Sequence, residues 1–285
     1  MNKQICMIDA AAQKALFYEV TLSPKPGLVD RFTNGAHQDM DFYLFIDSIL
    51  ALAPYFPQYL NAGFTHDGAK GDLFSKLRKI GQQAETAMFT ATKGVNTHKG
   101  ANFSFAILLG ATGLYLQKSQ LPFTATDSEN ILTLSREITQ DLLKKDFKYV
   151  AQKKNLTHGE KLYLAQGTTG IRGQAAAGYP ALANILLPYL RQNRHLPREE
   201  LLLRALVFLM STLTDSNILH RGGKMALTTI QSEMKQIHAA NLSAKDLSNT
   251  LIQYDKTLIS RNLSPGGAAD LLSLGIYFAI LEGLF

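Results

Sequence analysis

Residues 72–88 read DLFSKLRKIGQQAETAM, and the spacing of their apolar side chains predicts an amphipathic helix. The apolar residues recur at steps of three and four, which places them on one helical face, whereas Lys76, Lys79 and Gln83 fall on the opposite face. The same period returns elsewhere in the chain, which indicates a protein built from helices. The further predicted helices lie near residues 4–20, 41–53, 100–117, 129–144, 198–213, 244–260 and 268–284.

The composition favours the same fold class. The chain has 44 Leu and only 5 Val, and the alternating β-branched runs that are typical of strands are nearly absent. No repeat of fixed period and no low-complexity linker divides its 285 residues. We therefore predict an all-α fold, with a single multi-helix globular domain over residues 1–285 and functional loops at helix N-termini.

The charge balance bears on the kind of ligand. The chain has 29 basic and 23 acidic residues and a net charge of +6, which suits anionic ligands such as nucleotides but also fits an ordinary basic enzyme. Lys and Arg do not cluster with interleaved aromatic residues, so we expect no nucleic-acid binding. The single cysteine, Cys6, can form neither an internal disulfide nor a metal motif, which indicates a reducing compartment.

We expect neither a signal peptide nor a membrane span. The N-terminal stretch offers no apolar run of the necessary length. Residues 100–117 and 173–190 lack charge over the length of a membrane span, but the first contains Asn102 and Ser104 and the second contains two prolines. We interpret both segments as parts of the core and expect a cytoplasmic protein without membrane contacts.

The glycine- and proline-rich connections hold most of the polar side chains that can act chemically. Loops positioned by a rigid scaffold are common places for binding and catalytic residues. The connections are SPKPGLVDR (23–31), NGAHQDMD (34–41), GVNTHKG (94–100), GTTGIRG (167–173), DSNILHRGG (215–223) and RNLSPGGAAD (261–270).

The last of these connections has the features of an anion site. Ser264 suits the N-cap of the final helix and Pro265 its first position, so Gly266 and Gly267 would leave the early backbone N–H groups open to a phosphate. Asp270, one turn further on, is placed to hold a metal ion on the same phosphates. The structural alternative is that Ser-Pro starts a helix and the glycines permit close packing.

The segment GVNTHKG has the same form. Asn96 or Thr97 can cap the helix that follows, and Gly100 removes a side chain near its N-terminus. Lys99 adds a full positive charge beside the open N–H groups, a combination that suits a phosphate. His98 is a candidate for phosphate binding or proton transfer, with a structural role as the alternative.

Two further loops carry candidate ligand-binding groups. Arg172, in a glycine-rich loop that is not a Walker motif, can bind a phosphate through two parallel hydrogen bonds. Asp215 and Asn217 are oxygen ligands for a metal ion, and Arg221 follows them. Each of these signals is weak when taken alone.

Acidic side chains are the candidates for catalysis. His37 and Asp41 would share a helix face, whereas Asp39 would point elsewhere unless the segment is a loop. The two carboxylates are placed to bind magnesium or to supply a general base, or they only favour the start of the next helix through its dipole. Glu85 is interpreted as an ion-pair partner of Arg78, with a role in the site as the alternative.

Taken together, the motifs resemble those of a known family. PKPGLVDRFTNGAHQDMDF, TKGVNTHKGANF, GIRGQAAAGYPAL, DSNILHRGG and LSPGGAADLL occur in this order between residues 24 and 272. The set closely resembles the triphosphoribosyl-dephospho-CoA synthase family, over nearly the whole chain and without departure at a motif residue. The resemblance favours the functional interpretations above over the structural ones.

The resemblance implies an all-α transferase that acts on two nucleotides. Members of the family move the 5-triphosphoribosyl group of ATP to the 2′-hydroxyl of 3′-dephospho-CoA and release adenine. The product is the precursor of a prosthetic group, which a separate holo-acyl-carrier-protein transferase attaches to the acyl carrier subunit of citrate lyase or, in related systems, of malonate decarboxylase. The compact chain and its motifs favour citrate lyase.

Fitted to this reaction, the motif residues take three predicted roles. The attack on the anomeric carbon passes through an oxocarbenium-like state, which requires a base, assistance to the leaving adenine and a clamp on the triphosphate. The predicted catalytic residues are His37, Asp39 and Asp41, with Asp39 or Asp41 as the base. The predicted residues that bind ATP and its phosphates are Lys25, Asn96, His98, Lys99, Arg172, Arg221, Ser264, Gly266 and Gly267. The predicted ligands of the magnesium ion expected with ATP are Asp39, Asp41, Asp215 and Asp270.

Two other classes of function fit the residues less well. A metal-dependent nucleotide hydrolase would use the same carboxylates and phosphate clamps but would need no second substrate. A non-catalytic protein that binds a nucleotide or an acyl carrier would have little use for the separate acidic positions. Release of adenine, and its dependence on dephospho-CoA, distinguishes the three classes.

Overall fold

The structure, a computed structural model, describes residues 3–285 apart from the side chain of His158, and it is all-helical as predicted. No strand occurs among these residues. The α-helices are α1 (Lys3–Thr21), α2 (Phe42–Leu52), α3 (Phe56–Phe64), α4 (Lys70–Ala91), α5 (Lys99–Tyr115), α6 (Ala125–Ile138), α7 (Leu142–Phe147), α8 (His158–Gln166), α9 (Gly170–Ala176), α10 (Leu187–Gln192), α11 (Arg198–Thr212), α12 (Ser216–Ala239), α13 (Ala244–Ser260) and α14 (Gly266–Leu281). Short 3-10 turns precede α3 and α8, and a π turn precedes α10.

Helices α5 and α14 form the centre of the core. Buried residues run along the whole length of both helices, and α1 packs along α14. Helix α5 crosses α3 at glycines: a β-carbon on Gly63 would lie 1.9 Å from the carbonyl oxygen of Gly110, and one on Gly113 would lie 2.0 Å from that of Leu60. The uncharged segment 100–117 is therefore a buried core helix, as predicted.

The amphipathic stretch 72–88 lies within α4 and buries the predicted face. The buried residues of α4 are Leu73, Phe74, Leu77, Ala84 and Met88, and the polar residues of the opposite face are exposed. A period of 3.6 residues thus located this helix correctly, because only one of its faces packs on the core.

The structure differs from the predicted elements in three respects. The segment 129–144 is not one helix, because α6 ends at Ile138 and the hydroxyl of Thr139 donates to the Ala175 carbonyl at 2.9 Å. Helix α12 begins inside DSNILHRGG, which was predicted to be a loop. It is interrupted by a kink at Gly223, whose backbone is non-helical with φ 72° and ψ −172°, a conformation open to glycine, and the helix resumes after it. Helices α3, α8, α9 and α10 were not predicted.

No helix among residues 3–285 is by itself both long and apolar enough to cross a membrane. Helices α11 and α12 meet that criterion only as a pair, and the pair is bent by 55°. The uncharged segment 173–190 consists of parts of α9 and α10 with the π turn between them. Its leucines are buried in the protein, which agrees with the predicted core segment.

Candidate active site

One large cleft gathers the motifs. It lies where the C-terminal end of α1 and the loop 22–41 meet the N-terminal ends of α5, α9, α12 and α14, and its volume is about 960 Å³. The predicted site residues that line it are Lys25, His37, Asn96, His98, Lys99, Arg172, Asp215, Arg221, Ser264, Gly266, Gly267 and Asp270. Asp39 and Asp41 are the predicted site residues that do not line it.

The N-terminus of α14 holds a carboxylate of the protein itself. Asp215 Oδ2 accepts a hydrogen bond from the Ala268 backbone N–H at 2.9 Å. Its Oδ1 caps α12, accepting from the N–H groups of Asn217 at 2.8 Å and Ile218 at 3.2 Å. Burial raises the pKa of Asp215, while these backbone N–H groups oppose the rise. The anion site predicted from SPGGAAD is therefore occupied from within the chain.

The final helix also begins one residue later than predicted. Its N-cap is Pro265, which has no side-chain capping bond, and Gly266 is its first residue. Ser264, the predicted cap, instead contacts His37, whose Nε2 lies 2.9 Å from the serine Oγ. A serine just before a proline was a reasonable capping signal, but the contact with a distant loop decides its role.

His37 is held as a neutral imidazole between two motifs. Arg221 Nη2 lies 3.3 Å from His37 Nδ1, and because a guanidinium can only donate, Nδ1 must be unprotonated. The proton therefore lies on Nε2, which donates to Ser264. Burial and the charge of Arg221 both lower the pKa of His37. Arg221 also donates to the Ala36 carbonyl at 2.7 Å, which ties α12 to the loop 34–41.

Asp39 and Asp41 lie outside the cleft. Helix α2 begins at Phe42, so His37, Asp39 and Asp41 belong to a loop and the expected shared helix face does not exist. Asp41 is the N-cap of α2 and accepts from the Leu44 N–H at 2.8 Å. Asp39 is exposed and lies 3.7 Å from His37 Nδ1. The catalytic and metal-binding roles of these two carboxylates stay predictions.

The N-terminus of α5 receives a second internal carboxylate. Asp270 accepts a hydrogen bond from the Ala101 backbone N–H, and it lies against Gly100, where a β-carbon would be 2.1 Å from its Oδ2. The side chain is half-buried on the cleft wall. Burial raises the pKa of Asp270 well above its ordinary value, and the nearby carboxylates of Glu19 and Asp215 raise it further.

The side chains before α5 are arranged differently from the prediction. His98, rather than Asn96 or Thr97, occupies the N-cap position, and its side chain makes no capping bond. Asn96 Oδ1 lies 3.4 Å from the Lys99 backbone nitrogen, and Thr97 Oγ1 donates to Ser48 Oγ at 2.7 Å. The backbone end of α5 is therefore only weakly capped by its own preceding residues.

His98 is buried at the edge of the cleft, with 3% of its surface exposed. Its Nδ1 lies 2.7 Å from Ser48 Oγ, and its ring packs edge-on against Phe45 at 4.9 Å between ring centroids. Burial lowers the pKa of His98 to about 3, and the positive charge of Lys25 acts in the same direction. The imidazole is therefore neutral at ordinary pH.

Three of the predicted phosphate-binding cations are already paired with carboxylates. Lys25 Nζ lies 2.5 Å from Glu19, and both residues are buried. Lys99 Nζ lies 2.7 Å from Glu85. Each lysine retains N–H groups beyond the one that its carboxylate accepts. Both cations are thus fixed in place with donors left for a ligand.

Arg172 is paired in the same manner by Asp146. Its Nε lies 3.0 Å from one oxygen of Asp146, and the other oxygen accepts from Arg78 Nη2 at 2.7 Å. The predicted Glu85–Arg78 ion pair is therefore wrong, because Arg78 pairs with Asp146 of α7 and Glu85 pairs with Lys99. Since Asp146 engages only Nε of Arg172, the guanidinium keeps its terminal donors.

Sequence reasoning missed Glu19, Ser48 and Asp255. Glu19 lines the cleft, and its signal was a charged residue on the apolar stripe of α1. Asp255 accepts from the Gly27 N–H at 2.8 Å and from Thr33 Oγ1 at 3.1 Å, and so holds the loop that carries Lys25. Its position on an otherwise amphipathic helix, 228 residues from Gly27, gave no local signal.

Of the four predicted magnesium ligands, Asp215 and Asp270 lie near each other in the cleft, whereas Asp39 and Asp41 lie apart from them. Among the side chains that the structure describes, no three His, Cys, Asp or Glu residues are grouped as a metal site would require. Both oxygens of Asp215 accept backbone hydrogen bonds, and Asp39 and Asp41 lie outside the cleft. The donor set does not fit a metal site made by the protein alone. Magnesium usually relies on one or two carboxylates together with substrate phosphates.

Comparison with known proteins agrees with the motifs. A sequence model of the CitG family, described as ATP:dephospho-CoA triphosphoribosyl transferase, matches residues 7–285. A "Probable 2-(5''-triphosphoribosyl)-3'-dephosphocoenzyme-A synthase" of Streptococcus equi subsp. zooepidemicus is 52% identical over 285 aligned residues, 96% of each chain. A protein of the same name from Streptococcus mutans is 46% identical over 293 aligned residues, 99% of each chain.

A solved structure was also matched. It is that of a proposed triphosphoribosyl-dephospho-CoA synthase from Archaeoglobus fulgidus, with a TM-score of 0.49 and 16% identity, and it covers 84% of this chain and 100% of that one. The match of the family model over almost the whole length, together with relatives near half identity, identifies the family. The chain belongs to the CitG family of ATP:dephospho-CoA triphosphoribosyl transferases.

Proposed function

We propose that the cleft transfers the 5-triphosphoribosyl group of ATP to the 2′-hydroxyl of 3′-dephospho-CoA and releases adenine. The observation that carries this proposal is the convergence of motif residues from six separate connections on a single cleft of about 960 Å³. That volume is at the upper end for small-molecule sites, as two nucleotides require. Family membership gives the class of reaction.

The transfer needs a base for the attacking hydroxyl. We assign this role to Asp270 rather than to Asp39 or Asp41, because Asp270 lines the cleft and they do not. Its neighbours raise its pKa, which makes its carboxylate a stronger base than an ordinary aspartate. The hydroxyl then displaces adenine in a single step, so the configuration at the anomeric carbon inverts without a covalent enzyme intermediate.

The triphosphate needs cations with free donors. Lys99, Arg172 and Arg221 line the cleft, and each is fixed by contacts that leave further N–H groups available. Lys25 and Asn96 line the same cleft and add further donors. A clamp of this kind stabilises charge without reorganising during the reaction.

Magnesium enters this proposal as part of the substrate. The described side chains of the cleft do not form a metal site by themselves, so the ion would arrive bound to the phosphates of ATP and offset their charge. Asp215 and Asp270 are the predicted ligand residues that face the cleft. No step of the proposed transfer depends on a protein ligand to the ion.

The product would serve citrate lyase, on the resemblance of the motifs alone. A holo-acyl-carrier-protein transferase would then attach the prosthetic group to the acyl carrier subunit, in the cytoplasm where both nucleotides occur. Malonate decarboxylase is the alternative destination. Incubating the purified product with the transferase and carrier subunit of each system, and measuring the mass gained by each carrier, distinguishes them.

Chromatographic detection of adenine tests the reaction itself. The protein is incubated with ATP and magnesium, with and without 3′-dephospho-CoA, and the mass of the coenzyme product is measured by mass spectrometry. We expect adenine only when dephospho-CoA is present, with a product heavier by one triphosphoribosyl unit. Adenine or phosphate released equally well without dephospho-CoA would instead indicate a hydrolase, and no release would indicate a binding protein.

A further inference from the structure

His98 carries a polar atom that nothing in the described protein satisfies. Among the described side chains, three buried atoms have no hydrogen-bond partner: His98 Nε2, Ser104 Oγ and the Tyr179 hydroxyl. The hydroxyls of Ser104 and Tyr179 are near each other, and Ser104 partly offsets the rise that burial causes in the pKa of Tyr179. Only His98 lines the cleft. A buried polar atom without a partner is costly, so one at the edge of a cleft calls for a ligand.

The neighbouring hydroxyls determine which ring nitrogen carries the proton. Ser48 is fully buried, and its Oγ accepts the hydrogen bond from Thr97 at 2.7 Å. Its own proton then has His98 Nδ1, at 2.7 Å, as its acceptor. Because Nδ1 accepts, the proton of the neutral imidazole must lie on Nε2. The unsatisfied atom is therefore a hydrogen-bond donor.

The surroundings keep this donor fixed and neutral. Phe45 packs edge-on against the ring, and the ring sits at the N-terminus of α5, a 17-residue helix whose dipole disfavours added positive charge there. Glu19 and Lys25 form an ion pair nearby, and Asp270 accepts from the first turn of the same helix. A neutral N–H in this position binds an acceptor atom and does not transfer its proton.

We infer that His98 Nε2–H donates a hydrogen bond to an acceptor atom of a bound adenine nucleotide, and that Ser48 and Thr97 are positioning residues that select this tautomer. The inference rests on the proposed function, whose two substrates, ATP and dephospho-CoA, are both adenine nucleotides. Their phosphate oxygens, ribose oxygens and adenine ring nitrogens are all acceptors. The donor supplies binding and orientation to whichever nucleotide occupies this part of the cleft.

Calorimetric titration of ATP with magnesium, and separately of dephospho-CoA, tests the inference on wild type, His98→Asn and His98→Gln. A glutamine amide reaches about as far as Nε2, whereas an asparagine amide reaches only as far as Nδ1. We expect His98→Asn to weaken binding of one nucleotide about tenfold, and His98→Gln to weaken it less. Wild-type affinity of His98→Asn for both nucleotides would overturn the inference.

Two smaller probes locate the acceptor atom. If His98→Asn also weakens binding of inorganic tripolyphosphate, the acceptor is a phosphate oxygen. If it weakens binding of adenosine instead, the acceptor lies on the ribose or base. For the positioning residues, Ser48→Ala should raise the KM of that nucleotide with little change in kcat, and Ser48→Thr, which keeps the hydroxyl, should restore it.

A spectroscopic measurement on the wild-type chain does not depend on the folding of any variant. In protein labelled with ¹⁵N-histidine, we expect the His98 signals to show the neutral Nε2–H tautomer and Nε2 to shift when nucleotide is added. The Nδ1–H tautomer, or unchanged signals at saturation, would contradict the inference. The adenine assay on wild type separates the two proposals: its failure removes the proposed function, whereas a positive assay with unchanged His98 signals removes only this inference.

Discussion

The N-terminal ends of α5 and α14 are alike in sequence but differ in what they leave available. Each has glycine as its second residue, where a carboxylate lies against the backbone: a β-carbon on Gly100 would lie 2.1 Å from Asp270 Oδ2, and one on Gly267 would lie 2.9 Å from Asp215 Oδ2. At α14, both oxygens of the entering carboxylate are bonded to backbone N–H groups. At α5, the unsatisfied Nε2 of His98 and the free donors of Lys99 remain.

This difference separates two uses of the same physical feature. A helix N-terminus attracts an anion, and an aspartate of the same chain satisfies it as well as a phosphate does. At the N-terminus of α14 this anion is Asp215, which also caps α12 and so links the two helices. The end of α5 is only partly closed and faces the cleft with donors to spare. We therefore expect loss of Asp215, the carboxylate at the end of α14, to affect stability, and loss of Asp270, the carboxylate at the end of α5, to affect activity.

The largest expected effect is on catalysis, from Asp270→Asn. The change preserves size and the hydrogen bond from Ala101 but removes the base, so kcat for adenine release should fall about 100-fold or more. The free energy of unfolding, from urea denaturation, should change little. Turnover close to that of wild type would exclude Asp270 as the base.

Gly100→Ala should displace the carboxylate of Asp270 without replacing that residue, and Gly267→Ala is its matched control at the other helix end. The new methyl group of Gly100→Ala would collide with Asp270 Oδ2, so the carboxylate must move and activity should fall. The added methyl group at Gly267 in Gly267→Ala meets Asp215 at the longer distance of 2.9 Å. Equal activity loss in the two variants would remove the distinction between the two helix ends.

The next effect is on stability, from Asp215→Ala. Removing this carboxylate leaves backbone N–H groups at the ends of α12 and α14 without their acceptor, and the free energy of unfolding should fall by about 3 kcal/mol. Asp215→Asn keeps one acceptor oxygen and should lose less. Urea unfolding followed by circular dichroism measures both, and a loss below about 1 kcal/mol would mean that the carboxylate is not the structural link proposed here.

A smaller effect is expected on the pH dependence of stability, through His98 at the N-terminus of α5. The pKa of His98 is about 3 in the folded protein and near 6.5 when unfolded. The unfolded chain therefore binds the proton first, and stability falls as the pH drops from about 6.5 toward 3. Between pH 8 and pH 5 this residue should reduce the free energy of unfolding by about 2 kcal/mol.

Comparison with His98→Gln isolates this contribution. The buried aspartates have raised pKa values and act in the opposite direction, but they are present in both proteins. The wild type should therefore lose more stability than the variant over the same pH range, measured by urea unfolding at several pH values. Identical pH dependence in both proteins would show that His98 does not titrate as described.

The smallest effect is expected from Asp41→Ala. Asp41 lies outside the cleft and caps α2 through the Leu44 N–H, so its loss should lower the free energy of unfolding by about 1 kcal/mol. Because the carboxylate does not face the cleft, kcat for adenine release should stay near the wild-type value. A large loss of turnover without loss of stability would restore Asp41 to catalysis.

Much of the fold was predictable because burial leaves a periodic trace in the chain. The apolar period of 72–88 and the uncharged segment 100–117 both identified helices that the structure contains. The start of α12 was hidden, because Asp215 caps it in a stretch whose glycines suggest a loop. The glycines did mark a real break, because the helix is kinked at Gly223, but local propensity did not show that a capped helix begins before it.

The candidate site was predictable in membership but not in arrangement. All the predicted site residues except Asp39 and Asp41 line the cleft, and the motifs that hold them carry the family resemblance. The pairings of Lys25 with Glu19 and of Arg172 with Asp146 were not foreseen, nor was the exclusion of Asp41. Each of these depends on which side chain of a neighbouring element faces the motif residue.

The sequence by itself determined that the chain is helical, and its motifs determined the family to which it belongs. Only the tertiary structure decided which helix ends are satisfied by aspartates of the chain and which keep donors for a ligand. Asp215 meets Ala268 across 53 residues, and Asp270 meets Gly100 from the other end of the sequence. Such contacts arise from how helices pack in space, whereas periodicity and capping signals record only the environment within a few residues.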